Sequence, residues 1–375
     1  MASTTSTQLP KGYKGLYFTS PSVPPEIASF PTPTVDTGSV IVKPLYSWIP
    51  GYINDVYANN NARQYPVPFP VIGGPNAIGR IVATPADATR LKVGDLVAVD
   101  PTIRARDDPG RIMLLALLAA GQMQTLAKDV WNHGTWAELV KVPLECVHHF
   151  DEAALQKHGV RPRDLIFFGQ MAVPYGGFRD VNLTAGETVL VTPATGNFGG
   201  AAVHVALAMG ARVVAMGRNE AVLAELRDVA PGRVETIKIS GNWETDLAEI
   251  SKFGPIDVFL DLTPQTADNT DHIRAGLLSL RHGGRMSLMS GVPEITIPAT
   301  LLESKGVTIR ATMMCTWTQE EDLIKLVETG VLKMGEKAGL KIKGAFKLEE
   351  FAKALEVAGK ESHAGSAVVF APNEE

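Results

Sequence analysis

A turn rich in glycine, placed between a predicted strand and a predicted helix, is the clearest chemical motif of the chain. Thr188–Thr192 has the apolar, β-branched character of a strand, and an Ala-rich helical stretch follows the turn. Gly196 has no Cβ, so the backbone there can approach a pyrophosphate, and Gly199 allows close packing of helix on strand. The helix N-terminus offers unpaired N–H groups to phosphate. Although Ala194 replaces the first glycine of the G-x-G-x-x-G pattern, the strand and helix around the turn favour a dinucleotide site over a purely structural turn. The predicted contacts of this glycine turn are Ala194, Thr195, Gly196, Asn197, Phe198 and Gly199.

The residues after the next predicted strand indicate which dinucleotide binds. Arg212–Met216 ends where an NAD-binding fold presents an acidic residue to the ribose, but here Gly217, Arg218 and Asn219 follow. A missing carboxylate removes repulsion toward a 2′-phosphate, and a guanidinium can pair with that phosphate. Alternatively, Arg218 is a solvated residue at a helix start, where a cation is mildly unfavourable. We therefore expect NADP(H) as the cofactor, with further contacts from residues that follow two later strands, Leu262, Ser290, Gly291 and Val292.

The segment after Gly186 alternates apolar strands with helical stretches, which predicts βαβ units and a parallel sheet. Helices are expected to begin near Gly199, Asn219, Glu244 and Thr270, the last of them ending at Arg281–Gly284. The pattern fits a doubly wound nucleotide-binding fold. The predicted strands are Thr188–Thr192, Arg212–Met216, Val234–Ile239, Asp257–Leu262, Arg285–Met289 and Thr308–Thr312.

The flanking parts of the chain have a different pattern. Between Lys11 and Phe150, short β-like runs broken by Pro and Gly predict an irregular all-β unit, with Ile112–Ala120 as a buried helix. The tail ends in an apolar strand, Ser366–Phe370, which needs a sheet to join, and composition alone does not say which sheet. Two helices are predicted before this strand, Gln319–Thr329 and Leu348–Ala358.

Length and charge narrow the class of protein. At 375 residues, of which 45% are hydrophobic and 20% charged, the chain is expected to form two globular domains. Its 35 basic and 40 acidic residues give a net charge of -5 without long blocks of one sign, so no nucleic-acid or membrane-surface partner is predicted. The longest apolar run, Ile112–Ala120, is too short to span a bilayer, and Met1–Pro10 lacks the features of a signal peptide. We expect a cytoplasmic protein.

Cysteine usage excludes two classes of structural site. Cys146 and Cys315 are the only cysteines, and they form no C-x-x-C pair. A disulfide framework and a zinc lobe built from four cysteines are therefore excluded. Two buried thiols are expected, with one long-range disulfide as the alternative.

The whole pattern resembles the medium-chain dehydrogenase/reductase superfamily over nearly the entire chain. Supporting motifs are Gly12–Leu16, Val93–Val97, Gly134–Glu138 and Ala185–Val191, and the glycine turn is similar to the version in quinone and enoyl reductases. The resemblance implies the α/β class, with a GroES-like β-rich catalytic domain and a Rossmann domain built on a doubly wound parallel sheet. It also implies a cofactor cleft between the domains and often a homodimer. The expected domain ranges are 1–155 with 314–375 for the first and 156–313 for the second.

Three departures from the zinc-dependent members of this superfamily predict that no catalytic zinc is bound. Tyr52 stands at the place of the catalytic Cys, Gly74-Pro75-Asn76 replaces the Gly-His-Glu segment, and Phe168–Met171 lacks Cys and His in the third ligand region. A zinc site with nitrogen and sulfur ligands cannot be assembled from these side chains.

Without a metal, charge that develops on the substrate oxygen must be stabilised by hydrogen-bond donors. Zinc-free relatives commonly reduce activated C=C bonds or quinones with NADPH, using a Tyr or water near the reacting oxygen. Tyr52 is the first candidate donor, Tyr65 the second, and Asn54 is a candidate for orienting substrate or nicotinamide. The structural alternative is that each Tyr only hydrogen-bonds neighbouring backbone.

Three functions remain open at this point. The leading hypothesis is a zinc-independent, NADPH-dependent reductase of an enone, enal or quinone, with a place in secondary metabolism suggested by analogy. The second is a zinc-free carbonyl reductase or alcohol dehydrogenase. The third is a non-catalytic NADPH-binding sensor, because a fold alone does not establish activity.

Overall fold

The structure is a computed structural model that describes residues 9–57, 61 and 63–375. The N-terminal segment assessed above for a signal peptide lies almost wholly outside these residues. The chain divides into two compact units. Unit 1 contains the described residues up to Gly169 together with Ile342–Glu361 and Ala367–Glu375, and unit 2 contains Gln170–Lys341 and Ser362–Ser366. These limits differ from the predicted domain ranges at 156–169, which belong to unit 1, and at 314–341 and 362–366, which belong to unit 2.

Unit 1 is built mainly from short β-strands, as its Pro- and Gly-broken apolar runs predicted. Its first helices are α1 (Ile53–Tyr57), α2 (Met123–Asp129) and α3 (Glu152–Lys157). The strands before unit 2 are β1 (Gly12–Phe18), β2 (Glu26–Pro31), β3 (Ser39–Trp48), β4 (Val71–Ile72), β5 (Ala77–Ala83), β6 (Leu96–Val99), β7 (Thr102–Arg104), β8 (Ile112–Leu114), β9 (Val140–Pro143) and β10 (Val147–His149).

The prediction of a buried helix at Ile112–Ala120 was wrong. β8 covers only the start of this run and pairs antiparallel with β7. The chain then reverses in a tight turn in which Leu118 O accepts from Leu114 N at 2.8 Å and Ala116 has a φ of 57°. A short apolar run does not distinguish a buried strand and turn from a helix, because periodicity is lost when every side chain is buried.

Unit 2 is a parallel sheet with helices between its strands. Its six-stranded sheet has the order β13-β12-β11-β14-β15-β16, and all five pairs are parallel. This is the doubly wound order, in which the order of the strands reverses between β11 and β14 while all strands remain parallel. The strands are β11 (Thr188–Thr192), β12 (Arg212–Gly217), β13 (Val234–Lys238), β14 (Ile256–Asp261), β15 (Leu280–Leu288) and β16 (Thr308–Ala311). The helices are α4 (Phe168–Asp180), which begins at the end of unit 1, and α5 (Asn197–Ala208), α6 (Glu220–Val229), α7 (Trp243–Ser251), α8 (Asp271–Ser279), α9 (Ala299–Lys305) and α10 (Trp317–Glu328).

The predicted helix end at Arg281–Gly284 was also wrong. α8 ends at Ser279, and Arg281–Gly284 lies inside β15, which begins at Leu280 and has an irregular register against Ile256 and Val258 of β14. Gly283 has a φ of 70°, so the basic and glycine residues occur at this strand irregularity instead of ending the helix.

The chain returns to unit 1 near its end through β17 (Lys341–Phe346), α11 (Phe351–Lys360) and β18 (Ser366–Phe370). β18 pairs antiparallel with β3, with Val369 opposite Trp48. The apolar tail strand therefore joins the β-rich sheet, whose order is β10-β6-β5-β3-β18-β17 with β9 on β3. Within the described ranges, none of the helices has the length and apolarity needed to cross a membrane.

Candidate functional site

The glycine turn of unit 2 has the geometry of a site that exposes backbone. Gly196 is the N-cap of α5, and no side chain caps this helix end. Apart from the adjoining residues of the chain, no atom of the described residues lies within 4 Å of where a Cβ of Gly196 would be, whereas a Cβ on Gly199 would lie 2.0 Å from Pro193 O. Gly199 thus allows α5 to pack against the chain leaving β11, and Gly196 leaves room for a ligand at the helix N-terminus.

Asn197 anchors a distant segment of unit 2 to the glycine turn. Its Nδ2 donates to His363 O at 2.9 Å and to Ser366 O at 3.0 Å, and its Oδ1 accepts from Ser362 Oγ at 2.9 Å. Thr195 O accepts from the backbone N–H of Ala364 at 2.9 Å. Asn197, predicted as a cofactor contact, therefore uses its side chain to fix Ser362–Ser366 against the turn. Sequence reasoning did not find this segment.

The two exposed residues that follow β12, Arg218 and Asn219, have different roles. Arg218 is exposed, and no carboxylate pairs with it among the described residues. The residues outside that description, 1–8, 58–60 and 62, contain no Asp or Glu. Asn219 caps α6, because its side chain accepts from the N–H groups of Ala221 and Val222. Gly217 is buried, and a Cβ there would lie 2.4 Å from Thr195.

Buried polar atoms meet at the point where the strand order reverses. Thr192 of β11 and Asp261 of β14 are register partners, and both side chains are fully buried. Thr192 Oγ1 and Asp261 Oδ2 have no hydrogen-bond partner within the described part of the chain. Buried polar atoms are rarely left unpaired, so these two mark a place for water or a ligand group. Ligands of such folds bind at this reversal, outside the carboxyl ends of the strands.

The other oxygen of Asp261 belongs to a small hydrogen-bond network. Thr263 Oγ1 donates to Asp261 Oδ1 at 2.5 Å and lies 2.8 Å from Nε2 of the buried His272. Burial raises the pKa of Asp261 to about 6, and hydrogen bonds from Thr263 and Ser290 oppose this rise. Burial lowers the pKa of His272, and Arg218 lowers it further while Asp246 raises it.

The remaining predicted cofactor contacts lie around this network. Ser290 hydrogen-bonds Asp261, the N–H of Leu262 donates to Thr192 O at 2.9 Å, and that of Gly291 donates to Thr263 O at 2.9 Å. Val292 packs against the hydrophobic core of the sheet. These residues all follow the carboxyl ends of the parallel strands β14 and β15, so they lie at the carboxyl-end side of the unit 2 sheet.

In unit 1 the structure groups the two tyrosines that the sequence singled out. Tyr52 precedes α1, and its ring lies 4.1 Å from the guanidinium carbon of Arg63. Burial raises the pKa of Tyr52 above its ordinary value; Tyr65 adds to the rise and Arg63 opposes it. Asn61 fixes Tyr65 by accepting from its N–H at 3.1 Å and donating to its carbonyl at 2.7 Å. Asn54 is exposed on α1.

Tyr57 is a third tyrosine of this group, and sequence reasoning did not select it. Its hydroxyl donates to Ala116 O at 2.6 Å. Burial raises the pKa of Tyr57, a backbone hydrogen bond from Gly74 opposes the rise, and Tyr52 adds to it. We call Tyr52, Tyr57, Arg63 and Tyr65 the tyrosine cluster.

The other regions singled out for missing zinc ligands also adjoin one another. Asn76 is buried, and its Oδ1 has no hydrogen-bond partner within the described residues. A Cβ on Gly169 would lie 1.9 Å from Asn76 Nδ2, so the amide occupies the space that a side chain at position 169 would need. Gly74, next to Pro75 and Asn76, contacts Tyr57 of the tyrosine cluster as described above.

Comparisons with known proteins agree with this two-part architecture. Residues 38–152 match the family described as alcohol dehydrogenase GroES-like domain, and residues 198–329 match the family described as zinc-binding dehydrogenase. The first range lies in unit 1 and the second in unit 2. The fold class predicted from the sequence, a GroES-like domain with a Rossmann domain, is confirmed.

Individual relatives include both dehydrogenases and a reductase. Sorbitol dehydrogenase of Bacillus subtilis is 26% identical over 284 residues, covering 72% of this chain and 72% of that protein. Acryloyl-coenzyme A reductase of Metallosphaera sedula is 30% identical over 188 residues, covering 49% of this chain and 50% of that protein. The crystal structure of an alcohol dehydrogenase of E. coli CFT073, complexed with NADH, shares the fold with a TM-score of 0.76 at 18% identity, covering 96% of this chain and 100% of that one.

The GroES-like match lies in unit 1, which contains the β-rich sheet, and the dehydrogenase match lies in unit 2, which contains the glycine turn. The sequence predicted this assignment and this order. Both families, like the relatives, are dehydrogenases or reductases. The chain belongs to the medium-chain dehydrogenase/reductase superfamily of oxidoreductases.

Proposed function

We propose that this chain is a zinc-independent, NADPH-dependent reductase that transfers hydride to an activated C=C bond, as in an enone or enal, or to a quinone. The observation that carries the proposal is the tyrosine cluster, with Tyr52 at the position where zinc-dependent members hold a catalytic Cys. By analogy with relatives that share these features, its place is proposed to be in secondary metabolism. We also propose a homodimer, as the family resemblance implies, and a cytoplasmic location; light scattering of the purified protein tests the oligomer.

Unit 2 offers the features that a dinucleotide needs. The uncapped N-terminus of α5 and the open space at Gly196 fit a pyrophosphate, since helix N-terminal N–H groups bind anions. The unpartnered Thr192 Oγ1 and Asp261 Oδ2 lie at the strand reversal, where polar ligand groups bind. The residues proposed to line the site are Ala194, Thr195, Gly196, Phe198, Gly199, Leu262, Ser290, Gly291 and Val292, with Asn197 supporting the turn.

Arg218 supports NADPH over NADH. It is exposed beside the buried Gly217, where NAD-binding relatives place an acid, and no carboxylate of the described residues neutralises it. A free guanidinium is suited to a phosphate because its fork of donors matches phosphate geometry. Asn219 contributes by capping α6 and so fixing the backbone next to Arg218.

The donor atoms in the former ligand regions do not fit zinc. Zinc in this superfamily needs thiolate, imidazole or carboxylate ligands. Tyr52 supplies a phenol whose pKa is raised by burial, so it remains protonated, and Asn76 supplies a neutral amide. Gly169 supplies no side chain, and its lack of a Cβ is required by the amide of Asn76. We derive no catalytic step through a metal.

Tyr52 is suited to stabilise charge on a substrate oxygen. When bound, NADPH supplies the hydride, which adds to the carbon β to a carbonyl while the π electrons move to the carbonyl oxygen. A neutral phenol that donates a hydrogen bond to that oxygen lowers the barrier, because it acts where negative charge develops. Tyr65 lies beside Tyr52 and is the second candidate donor. Asn54, exposed on the adjoining helix, is proposed to orient substrate or nicotinamide.

The experiment uses purified protein treated with EDTA, with bound metal measured beforehand. NADPH oxidation is followed against a panel of enones, enals, quinones and aldehydes, and products are identified. Turnover of an enone or quinone without metal supports the proposal. Activity that appears only after zinc is added would contradict it, and NADPH binding without any turnover would favour a sensor.

The relatives favour a second candidate, a carbonyl reductase or alcohol dehydrogenase. The family descriptions and sorbitol dehydrogenase name alcohol-oxidising enzymes, whereas acryloyl-coenzyme A reductase acts on a C=C bond. The same panel separates the two candidates, because reduction at C=C and at C=O gives products of different connectivity.

A further inference from the structure

Arg63 is a cation without a counter-ion. Its side chain is half-buried, and its contact within the described residues is with the face of Tyr52. No carboxylate forms an ion pair with it among the residues that the structure describes. The residues outside that description, 1–8, 58–60 and 62, are Met, Ala, Ser, Thr, Gln and Asn, so they supply no carboxylate either.

One of the donors of Arg63 is also dehydrated. Nε is buried and has no hydrogen-bond acceptor within the described residues. A guanidinium is always charged and carries five N–H donors, and a buried donor left unpaired costs free energy. The face of an aromatic ring attracts the cation but supplies no oxygen acceptor. Among the described residues, this guanidinium therefore has neither a paired carboxylate nor an oxygen acceptor for Nε.

Arg63 lies next to Tyr52, the proposed hydrogen-bond donor. Tyr65, two residues after Arg63, is fixed by two hydrogen bonds with Asn61, which lies two residues before it. Arg63 lies over the ring of Tyr52, and the pKa of Tyr52, which burial raises, is raised further by Tyr65 and lowered by Arg63. An anion on Arg63 would thus lie beside the hydroxyl that is proposed to act on the substrate.

We propose that Arg63 binds a carboxylate of the substrate, so that the natural substrate is an unsaturated carbonyl compound that carries a carboxylate near its reacting bond. The proposal deepens the reductase function proposed above and rests on it. A planar guanidinium recognises a carboxylate by two parallel hydrogen bonds, and a partly desolvated site strengthens each of them. Such a pair orients the substrate as well as binding it, and orientation at the reacting bond contributes to the rate.

The test compares β-acetylacrylate with its methyl ester, in which the carboxylate is replaced by an uncharged group. Both are enones with the same C=C bond. For the wild-type protein we expect kcat/KM to be at least about tenfold higher for the acid, which corresponds to about 1.4 kcal/mol. Arg63→Met should abolish this preference, because it should lower kcat/KM for the acid far more than for the ester. Arg63→Lys should keep part of it, because the charge remains but the planar fork is lost.

Arg111→Met is the matched control. Arg111 is an exposed arginine of unit 1 whose ion pair with Asp108 spans 2.6 Å. Removing it changes net charge by the same amount as Arg63→Met, so a general electrostatic effect on an anionic substrate would appear in both variants. We expect the control to retain the preference for the acid. Thermal unfolding of each variant shows whether it has folded.

Calorimetric titration of levulinate, the saturated product, into the protein with NADP+ gives a readout that does not depend on turnover. Levulinate should bind the wild type and Arg111→Met, and bind Arg63→Met at least about tenfold more weakly. Equal use of acid and ester by the wild type, or an equal loss for both in Arg63→Met, would overturn carboxylate recognition.

The failures of the two proposals are distinguishable. Turnover of neutral enones or quinones without a preference for the acid overturns the role of Arg63 and leaves the reductase function standing. Absence of turnover on the whole panel, with levulinate binding that depends on Arg63, contradicts the reductase function but retains the anion site. Levulinate binding that is unaffected by Arg63→Met overturns the anion site in either case.

Discussion

The glycine turn of unit 2 offers its ligand backbone groups, whereas the tyrosine cluster of unit 1 offers side chains. In the turn, Gly196 and Gly199 matter because they have no Cβ, and the strand and helix on either side fix their positions. In the cluster, Tyr52 and Arg63 matter for their own functional groups, which a loop closed by Asn61 holds together. A site made from backbone is visible in a linear motif, while a site made from side chains becomes visible only when the loop has folded.

The largest effect is expected from a side chain added inside the glycine turn. Gly199→Ala places a Cβ 2.0 Å from Pro193 O, a backbone atom that cannot move aside, so the variant should lose about 1–3 kcal/mol of unfolding free energy and its NADPH binding. Gly196→Ala is the control, since beyond the adjoining residues no described atom lies within 4 Å of that Cβ. It should unfold like the wild type but bind NADPH more weakly. Thermal unfolding and fluorescence titration measure both; unchanged NADPH affinity in Gly196→Ala would remove the turn as the phosphate site.

Removing a single hydroxyl tests the chemistry of the tyrosine cluster. Tyr52→Phe should lower turnover about a hundredfold, because it deletes one donor to the developing oxyanion, while NADPH affinity is unchanged. Tyr57→Phe deletes the hydrogen bond to Ala116 O and should lower the unfolding free energy by about 1 kcal/mol, with a much smaller effect on turnover. Burial raises the pKa of Tyr52, so it stays a neutral donor and its ionisation should not reduce the rate below pH 10. An unchanged rate in Tyr52→Phe would give this residue a structural role only.

A smaller effect is expected from removing Arg218, the side chain proposed to bind the cofactor beside the glycine turn. Arg218→Ala should weaken NADPH binding about tenfold and leave NADH binding little altered, because it removes a charged donor to the 2′-phosphate. Arg227→Ala, which removes an exposed arginine of the last turn of α6, is the control for net charge. Dissociation constants for both cofactors decide the matter. Equal weakening of NADPH and NADH would contradict the phosphate assignment.

The smallest effect concerns Asp261, the buried carboxylic acid at the carboxyl end of β14. Burial raises the pKa of Asp261 to about 6, from 3.8 in the unfolded chain. The folded state therefore binds a proton more tightly, so this contribution to stability is complete below the unfolded pKa and is lost as pH rises through 6. Between pH 5 and pH 7 it should reduce the unfolding free energy by about 1 kcal/mol. Urea unfolding at both pH values should show this slope in the wild type and its loss in Asp261→Asn; an identical slope in the variant would assign the pH dependence to other groups.

Sequence reasoning located elements best where a strand or helix has its own signal. β11 and β18 begin and end at the predicted residues, because apolar β-branched runs bounded by polar or glycine residues identify buried strands. The run Ile112–Ala120 was misassigned because a uniformly apolar stretch has no period. Arg281–Gly284 was misassigned because basic residues and glycine mark a strand irregularity as well as a helix end.

The side-chain contacts within the two sites were harder to predict from the sequence than the fold was. That Asn197 binds the carbonyls of His363 and Ser366 depends on residues far apart in the chain, and no local pattern predicts such a contact. Arg63 did carry a signal, since it is a lone cation in a loop without acidic residues between two tyrosines. Its position over Tyr52, however, follows only from the folded loop.

The clamp of Asn197 on Ser362–Ser366 has a consequence for how this protein is made. During synthesis the strands and helices around the glycine turn leave the ribosome long before Ser362–Ser366 does. Domains generally begin to fold from the N-terminus. The nascent chain can therefore assemble the sheet of unit 2 while the Asn197 amide still faces solvent. Competence to bind the dinucleotide is expected late in translation, and ribosome-bound chains stalled before Ser362 should hold cofactor less tightly than chains released after Ser366.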